Sequence, residues 1–438
     1  MDHATSSDPA VQRQLDRLTM LSPGADILGL GRITELLGRV GDPHLRLPPV
    51  IHVAGTNGKG STCAFLRASI EAAGLRTHVY SSPHLVRFNE RIRLAGTLID
   101  DAELAPLLEE VLSAGGDIGA SFFEVTTAAA FLAFARTPAD ACIVEVGLGG
   151  RLDATNVIQR PAVTGIAQLG VDHQSFLGDT AEAIAAEKAG IAKPDVPLVT
   201  MAYPDPIALT VAAIAATGGA PVQAAGDAWH WQVQGDRLLY SDGAGTVETP
   251  LPALAGPHQP ANLALAIALL RHQHALAIPD SAFAAGARNA RWPARMQRLS
   301  EGPLLDLLPP ASTLWLDGGH NEAAAAAVSA TVAQVAEGRP LHLIIGMLSN
   351  KDARGLLAPF APLATSLHAV PVPGHEHHAP AALAGIARDL GITDTSMAPD
   401  VPSALRNIAA QGGAPAVLVL GSLYLAGKVL ETNGELPA

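Results

Sequence analysis

The sequence predicts an α/β protein of two domains, each built on a mainly parallel sheet. Three observations carry that expectation. Short apolar runs alternate with longer helical stretches, which is the pattern of βαβ units. The runs are continuous rather than alternating, as strands covered on both faces require. The rhythm breaks once, in the basic, proline-containing stretch 286–303, and then restarts. A chain of 438 residues also exceeds what one ordinary core organises.

Taken in order, the first strands are expected at 49–55 (PVIHVAG), 77–82, 141–147, 162–169 and 196–202. Helices are expected between them at Ser61–Ala73, Asp101–Leu112 and Glu124–Ala135. Residues 226–250 alternate and carry turn signals, so a small antiparallel excursion is expected there, followed by a helix in PANLALAIALLRHQ. After the break, strands at 313–318, 340–347, 366–372 and 416–422 build a second, smaller α/β domain. The division is set at 1–295 and 296–438.

Composition narrows the class. Hydrophobic residues make up 48% and charged residues 16%, which favours a packed chain over disorder. The net charge of −13 argues against a nucleic-acid partner, because phosphate contacts need clustered Lys and Arg. Anionic small molecules can still bind a locally basic site. Cys63 and Cys142 are far apart in apolar surroundings, which reads as two core residues in a reducing compartment. No signal-like apolar region opens the sequence, and the longest strongly apolar segment, Leu263–Leu270, is far shorter than the roughly 20 residues a bilayer span needs. A soluble cytoplasmic protein with no membrane partner is expected.

In open α/β sheets, ligands gather at the carboxyl ends of the strands. The first strand runs into AGTNGKGST, with Gly55, Thr56, Asn57, Gly58, Lys59, Gly60 and Ser61 in succession. This misses the strict Gly-x-x-x-x-Gly-Lys-[Ser/Thr] spacing. It still offers backbone N–H groups at a helix start, one cation, and a hydroxyl suited to Mg²⁺ beside phosphates. The alternative is a glycine-rich turn with no ligand. The second strand ends in SSPHLVRFNERIR, which crowds Ser82, Pro83, His84, Arg87, Asn89 and Arg91 together; a solvated loop is the alternative. Glu124 heads a nearly all-apolar helix, where it either caps the helix start or binds a metal. Glu145 lies inside the ACIVEVG strand, and Asp153 and Asn156 follow the Gly-Gly turn after it.

Asp172 and His173 lie just past the next strand, and Asp179 with Glu182 resembles a capping box. Lys188 shares a helical face with Ile184 and Ile191. It either snorkels to solvent or carries a lowered pKa, and a neutral amine can act as a nucleophile or become carbamylated. In the second domain, Asp317, His320 and Asn321 follow one strand, Lys351 and Asp352 another, and Ser422 the last. Polar groups at several strand ends of both domains suggest a ligand site between the domains.

Seven stretches together resemble one family. HVAGTNGKGST, SSPHLVRFNERIR, EVGLGGRLDATN, DHQSFLGDTAEAIAAEKAGI, LDGGHN, IGMLSNKD and VLGSLYLAGK are similar to the folylpolyglutamate synthase/dihydrofolate synthase family, within the Mur ligase superfamily. The similarity runs in order from about Leu28 to the C-terminus. It implies a Mur-ligase-like α/β fold, with an N-terminal P-loop ATPase-type domain and a smaller C-terminal Rossmann-like glutamate ligase domain. It also accounts for the opening loop, whose Gly-Thr-Asn-Gly-Lys-Gly spacing is the family's phosphate loop.

The activity implied is ATP-dependent joining of L-glutamate to a carboxylate through an acyl phosphate. The acceptors are dihydropteroate and reduced folates. By motif match, Lys59 would hold the terminal phosphates. Ser61 and Glu124 would bind one Mg²⁺, while Ser82 and His173 would serve a second, with Lys188 as a carbamylated ligand. Arg91 would receive glutamate, and Ser82, Pro83, His84, Asp153 and Ser422 are expected at the substrates. Asn262 and Arg295 would contact the nucleotide, and Asp317 and His320 would reach ATP and the acyl phosphate. Two departures stand out: Asp317-Gly-Gly-His320-Asn321 replaces Asp-x-Ala-His-Asn, and Pro293-Ala294-Arg295 replaces Pro-Gly-Arg. A monomer is expected. A need for a monovalent cation is left open.

Overall fold

The computed structural model describes residues 5–21 and 28–437, and the chain divides into two units. In the first, five parallel strands form the centre of an eight-stranded sheet. They are β1 (Val50–Ala54), β2 (Thr77–Tyr80), β5 (Ala141–Glu145), β6 (Val163–Ile166) and β7 (Leu198–Thr200). The short strands β3 (Ile92–Leu94), β4 (Thr97–Leu98) and β8 (Val222–Ala224) complete it, in the order β4-β3-β2-β5-β1-β6-β7-β8. Every residue of β1, β2, β5, β6 and β7 is buried, which is why each reads as an unbroken apolar run. β1 sits between β5 and β6, so the chain reverses direction across the sheet at its carboxyl end. That crevice is where ligands bind in open sheets.

Two helices fix the crevice. Lys59–Ala72 starts directly after the glycine loop and is buried along nine of its residues. Gln259–His272 has Asn262–Leu270 wholly buried; each buried leucine or isoleucine there contributes ~1.5–3 kcal/mol. The helix Phe122–Arg136 closes over the other face, with Phe131 and Phe134 in the main core cluster. Beside the main sheet stands an antiparallel set, β9 (Trp229–Gln234), β10 (Arg237–Asp242) and β11 (Gly245–Pro250), within the excursion expected at 226–250.

The second unit comprises Leu254–His258 and Trp292–Pro437. Its six strands, in the order β12-β13-β17-β14-β15-β16, are β12 (Gln297–Leu299), β13 (Thr313–Leu316), β14 (Leu341–Ile345), β15 (Ala364–Ala369), β16 (Thr395–Met397) and β17 (Ala416–Leu420). All run parallel except β12. The sequence places residues 254–258 in the first domain and divides the chain at 295/296, whereas the structure assigns 254–258 to the second unit and divides at 291/292. No described helix is long and apolar enough to cross a membrane.

Candidate active site

The glycine loop takes a shape that side chains would block. Gly58 has φ +84° and stands so close to the Asn262 amide that an added Cβ would lie 2.5 Å from Oδ1. Gly55 presses on Ala167, where a Cβ would meet another at 2.9 Å. The loop is stitched to the segment after β6: Thr56 and Asn57 N–H donate to the Gln168 carbonyl at 2.8 and 3.1 Å, and Thr56 Oγ1 donates to Gly170 O. Its end opens the Lys59–Ala72 helix, so the first-turn N–H groups have no intrahelical acceptor and point, with the positive helix end, at whatever lies above. Ser61 is buried on that turn, and its Oγ accepts from Gln259 Nε2 at 3.3 Å.

Two amines converge on one carbonyl. Lys59 Nζ donates to Gly55 O at 3.0 Å, and Lys188 Nζ donates to the same oxygen at 3.0 Å. Lys188 is 5% exposed, so it does not snorkel to solvent. Burial, reinforced by the Lys59 charge, pushes its pKa down to about 7, against the pull of Asp172 and Asp153. A substantial neutral fraction follows near neutral pH. Its helix, Ala181–Ala189, is capped by Thr180, whose side chain accepts from Ala183 N. The N-cap is therefore Thr180, and Asp179 with Glu182 does not form the expected capping box.

Glu124 makes the expected cap. Its Oε2 accepts from Ser121 N at 2.6 Å and from Arg32 Nε at 3.0 Å, and its buried Oε1 has no hydrogen-bond partner among the described residues. Glu145 is buried at the end of β5, paired in register with Val53 of β1. Its charge helps to push the Cys63 thiol up, after burial, which puts it against the helix that follows the glycine loop. Asp153 accepts from Leu148 N, Thr155 N and Thr155 Oγ1. His173 is exposed and has a left-handed backbone conformation.

Past β2, Glu90 organises the loop by accepting from the N–H groups of Leu85, Val86 and Arg87. The Ser82–Pro83 peptide is cis. Arg91 is only 1% exposed; its Nε donates to His84 Nδ1 at 2.9 Å, and its guanidinium lies over Phe88 and Phe122.

In the second unit the expected groups gather at the carboxyl ends of β13, β14 and β17. Asp317 accepts from Met296 N and Gly319 N, which ties it to the segment carrying Arg295. His320 Nδ1 bonds Gly318 O at 3.0 Å. Asn321, Asp352 and Ser422 cap the helices that follow these strands. His258 carries a pKa lowered by burial, opposed by Asp317 and assisted by Arg295.

Comparison with known proteins decides the family. Residues 294–423 match the family described as Mur ligase, glutamate ligase domain. The chain is similar to dihydrofolate synthase/folylpolyglutamate synthase of Escherichia coli, at 36% identity over 79% of this chain and 78% of the relative. It is also similar to the Bacillus subtilis protein of the same name, at 33% over 90% and 93%. The chain belongs to the folylpolyglutamate synthase/dihydrofolate synthase family. Its fold matches a solved structure of E. coli FolC in complex with DHPP and ADP, with a TM-score of 0.85 and 32% identity over 97% of both chains. It also matches a bifunctional synthase with Mn, AMPPNP and L-glutamate bound, with a TM-score of 0.84 and 31% identity over 97% and 99%.

For a folylpolyglutamate synthase/dihydrofolate synthase, the first unit offers the right chemistry to hold a triphosphate and a divalent cation. The loop's shape requires glycine, two amines crowd its mouth, and the donors around it are hard oxygens. Among the described residues no cluster of three or more His, Cys, Asp or Glu stands ready to bind a metal. Sequence reasoning located Glu145 but gave it no role. A carboxylate buried at the last position of a central strand, beside the loop strand, was the available signal. Arg32 and Gln259 were missed because their partners lie 92 and 198 residues away.

Proposed function

We propose that this chain is an ATP-dependent ligase that joins the α-amine of L-glutamate to dihydropteroate, giving dihydrofolate, and to reduced folates as they acquire further glutamates. The observation that carries this reading is the pair of amines on the Gly55 carbonyl at the mouth of a glycine loop that opens a helix.

The residues divide the work as follows. The loop N–H groups and Lys59 bind and orient the terminal phosphates, and Lys59 exchanges the Gly55 carbonyl for a phosphate oxygen. The acceptor carboxylate takes the γ-phosphoryl group, which turns a poor electrophile into an acyl phosphate. The glutamate amine then attacks, an amide forms and phosphate leaves. Magnesium, when bound, neutralises the phosphate charge. Ser61, on the first turn after the loop, and Glu145, buried at the end of β5, would hold it. Glu145 is assigned here in preference to Glu124, whose carboxylate already closes a cap and an ion pair.

Ser82 and His173, with carbamylated Lys188, would hold a second cation. The neutral fraction of the Lys188 amine is the form that reacts with CO₂, giving a carbamate and a proton. Asn262 lies against the loop and is assigned to the nucleotide, as is Arg295. Arg91, braced under His84, presents that histidine to the substrates with Ser82 and Pro83. Asp317, His320 and Ser422 form the C-terminal unit's contribution. We place the protein in the cytoplasm as a monomer.

The test measures ADP release with dihydropteroate and with tetrahydrofolate separately, under identical ATP and glutamate. Release that requires both glutamate and a pteroate-type acceptor is expected. ATP binding without such release would refute the ligase reading and leave a nucleotide-binding regulatory module.

A further inference from the structure

A buried chain of side chains runs from β1 to the segment that seats Lys188. His52, on β1 and wholly buried, has Nε2 2.8 Å from Thr155 Oγ1. Thr155 Oγ1 in turn lies 2.5 Å from Asp153 Oδ1. The proton positions follow from elementary accounting. Leu148 N, Thr155 N and Thr155 Oγ1 all donate to the Asp153 carboxylate and favour its ionised form, against a burial that raises its pKa. Thr155 has one hydroxyl proton and gives it to Asp153, so it accepts from His52, which must carry its proton on Nε2. His52 Nδ1 is then bare, and it is buried without a hydrogen-bond partner among the described residues. Burial, the dominant cause, pushes the His52 pKa down to about 3 and keeps the ring neutral.

The segment held this way grips the lysine helix. Gly150 packs on its last turn so closely that a Cβ would stand 2.7 Å from Glu187 O and 2.9 Å from Lys188 Cα. Arg151 N donates to Glu187 O at 2.7 Å. The Asn156 amide bridges Arg151 O and Gly190 O at 3.0 and 3.1 Å. Gly190 in turn admits the Arg151 side chain, with 2.4 Å to a would-be Cβ.

We propose that His52, Thr155 and Asp153 are positioning residues for Lys188: they fix the 147–156 segment, and that segment sets the helix end from which the lysine amine reaches the Gly55 carbonyl. The proposal rests on the reading that Lys188 works in the ligase reaction. It assigns the three residues no contact with the reacting atoms.

The test is a double-mutant cycle read in steady-state ADP release at saturating substrates. Thr155→Val is expected to lower kcat by ~10-fold while the apparent KM for ATP and for the acceptor stay within about twofold, and Thr155→Ser restores the rate. In a Lys188→Ala background the same Thr155→Val change lowers the residual rate by less than about twofold, because the group it positions is gone. Equal losses in both backgrounds would overturn the proposal. Asp153→Asn that raises the acceptor KM with kcat preserved would overturn it for Asp153, in favour of substrate contact. Near-normal turnover in Lys188→Ala alone would instead remove the reading of Lys188, which is a separate failure. Should Thr155→Val fail to fold, His52→Gln, which keeps a donor N–H, is expected to match wild type and His52→Leu to lose rate; equal rates would count against the proposal.

Discussion

Replacing Lys188 with methionine should make the protein more stable and inactive at once. The amine is buried and its pKa is pushed from 10.5 to about 7, chiefly by burial. At about 1.36 kcal/mol per pH unit, that gap sets ~5 kcal/mol against the folded state when the amine must carry its proton. Because the folded pKa is the lower one, the unfolded chain binds more protons between about pH 7 and 10.5. The penalty is therefore fully present below about pH 7 and is relieved as the pH rises towards 10.5. Methionine removes the charge and leaves an apolar chain of similar length, at the loss of the hydrogen bond to Gly55 O, ~1 kcal/mol. Lys59 still satisfies that carbonyl. Urea unfolding in bicarbonate-free buffer should therefore show Lys188→Met more stable than wild type by ~3–4 kcal/mol at pH 7. The difference should shrink to nothing, or reverse slightly, by about pH 10.5. A variant less stable than wild type at pH 7, with the same pH slope, would show that the amine is not strained as described.

Three further substitutions test the loop and the cation site. Gly58→Ala forces a residue with a Cβ into φ +84° and against the Asn262 amide, so a loss of ~1–3 kcal/mol in urea unfolding is expected, with weaker ATP binding by calorimetry; unchanged binding would mean that the loop shape does not matter. Glu145→Gln is expected to raise the Mg²⁺ concentration required for ADP release by ~10-fold. Glu124→Gln should leave that requirement near normal while lowering thermal stability by ~1 kcal/mol through the weakened cap, and the opposite pattern would return the metal to Glu124.

Most of the sheet was legible because its strands are buried on both faces, so VIHVA, ACIVE and AVLVL announce themselves by composition alone. The short strands β3, β4, β8, β12 and β16 were not, since two or three residues give no period to read. The glycine loop was legible because glycine marks a backbone that side chains cannot follow. What lay hidden were the partners. That Glu124 meets Arg32, that Arg91 lies beneath His84 and two phenylalanines, and that Lys188 shares a carbonyl with Lys59 all depend on distances between segments far apart in the chain. Lys188 shows the limit well. Its helical face could be read from spacing, but whether a lysine there snorkels or stays buried depends on the 147–156 segment, which closes over the helix end.

The second unit takes five residues, Leu254–His258, from the middle of the first. The family match begins at 294, so it leaves those five residues out. A fragment begun at Trp292 would leave behind the buried Leu254 and the Gly256–His258 turn, which sits against Thr331. Swapping this half between relatives therefore means transplanting two separated stretches of chain, and a graft that moves only the longer one would carry an uncovered apolar patch into its host.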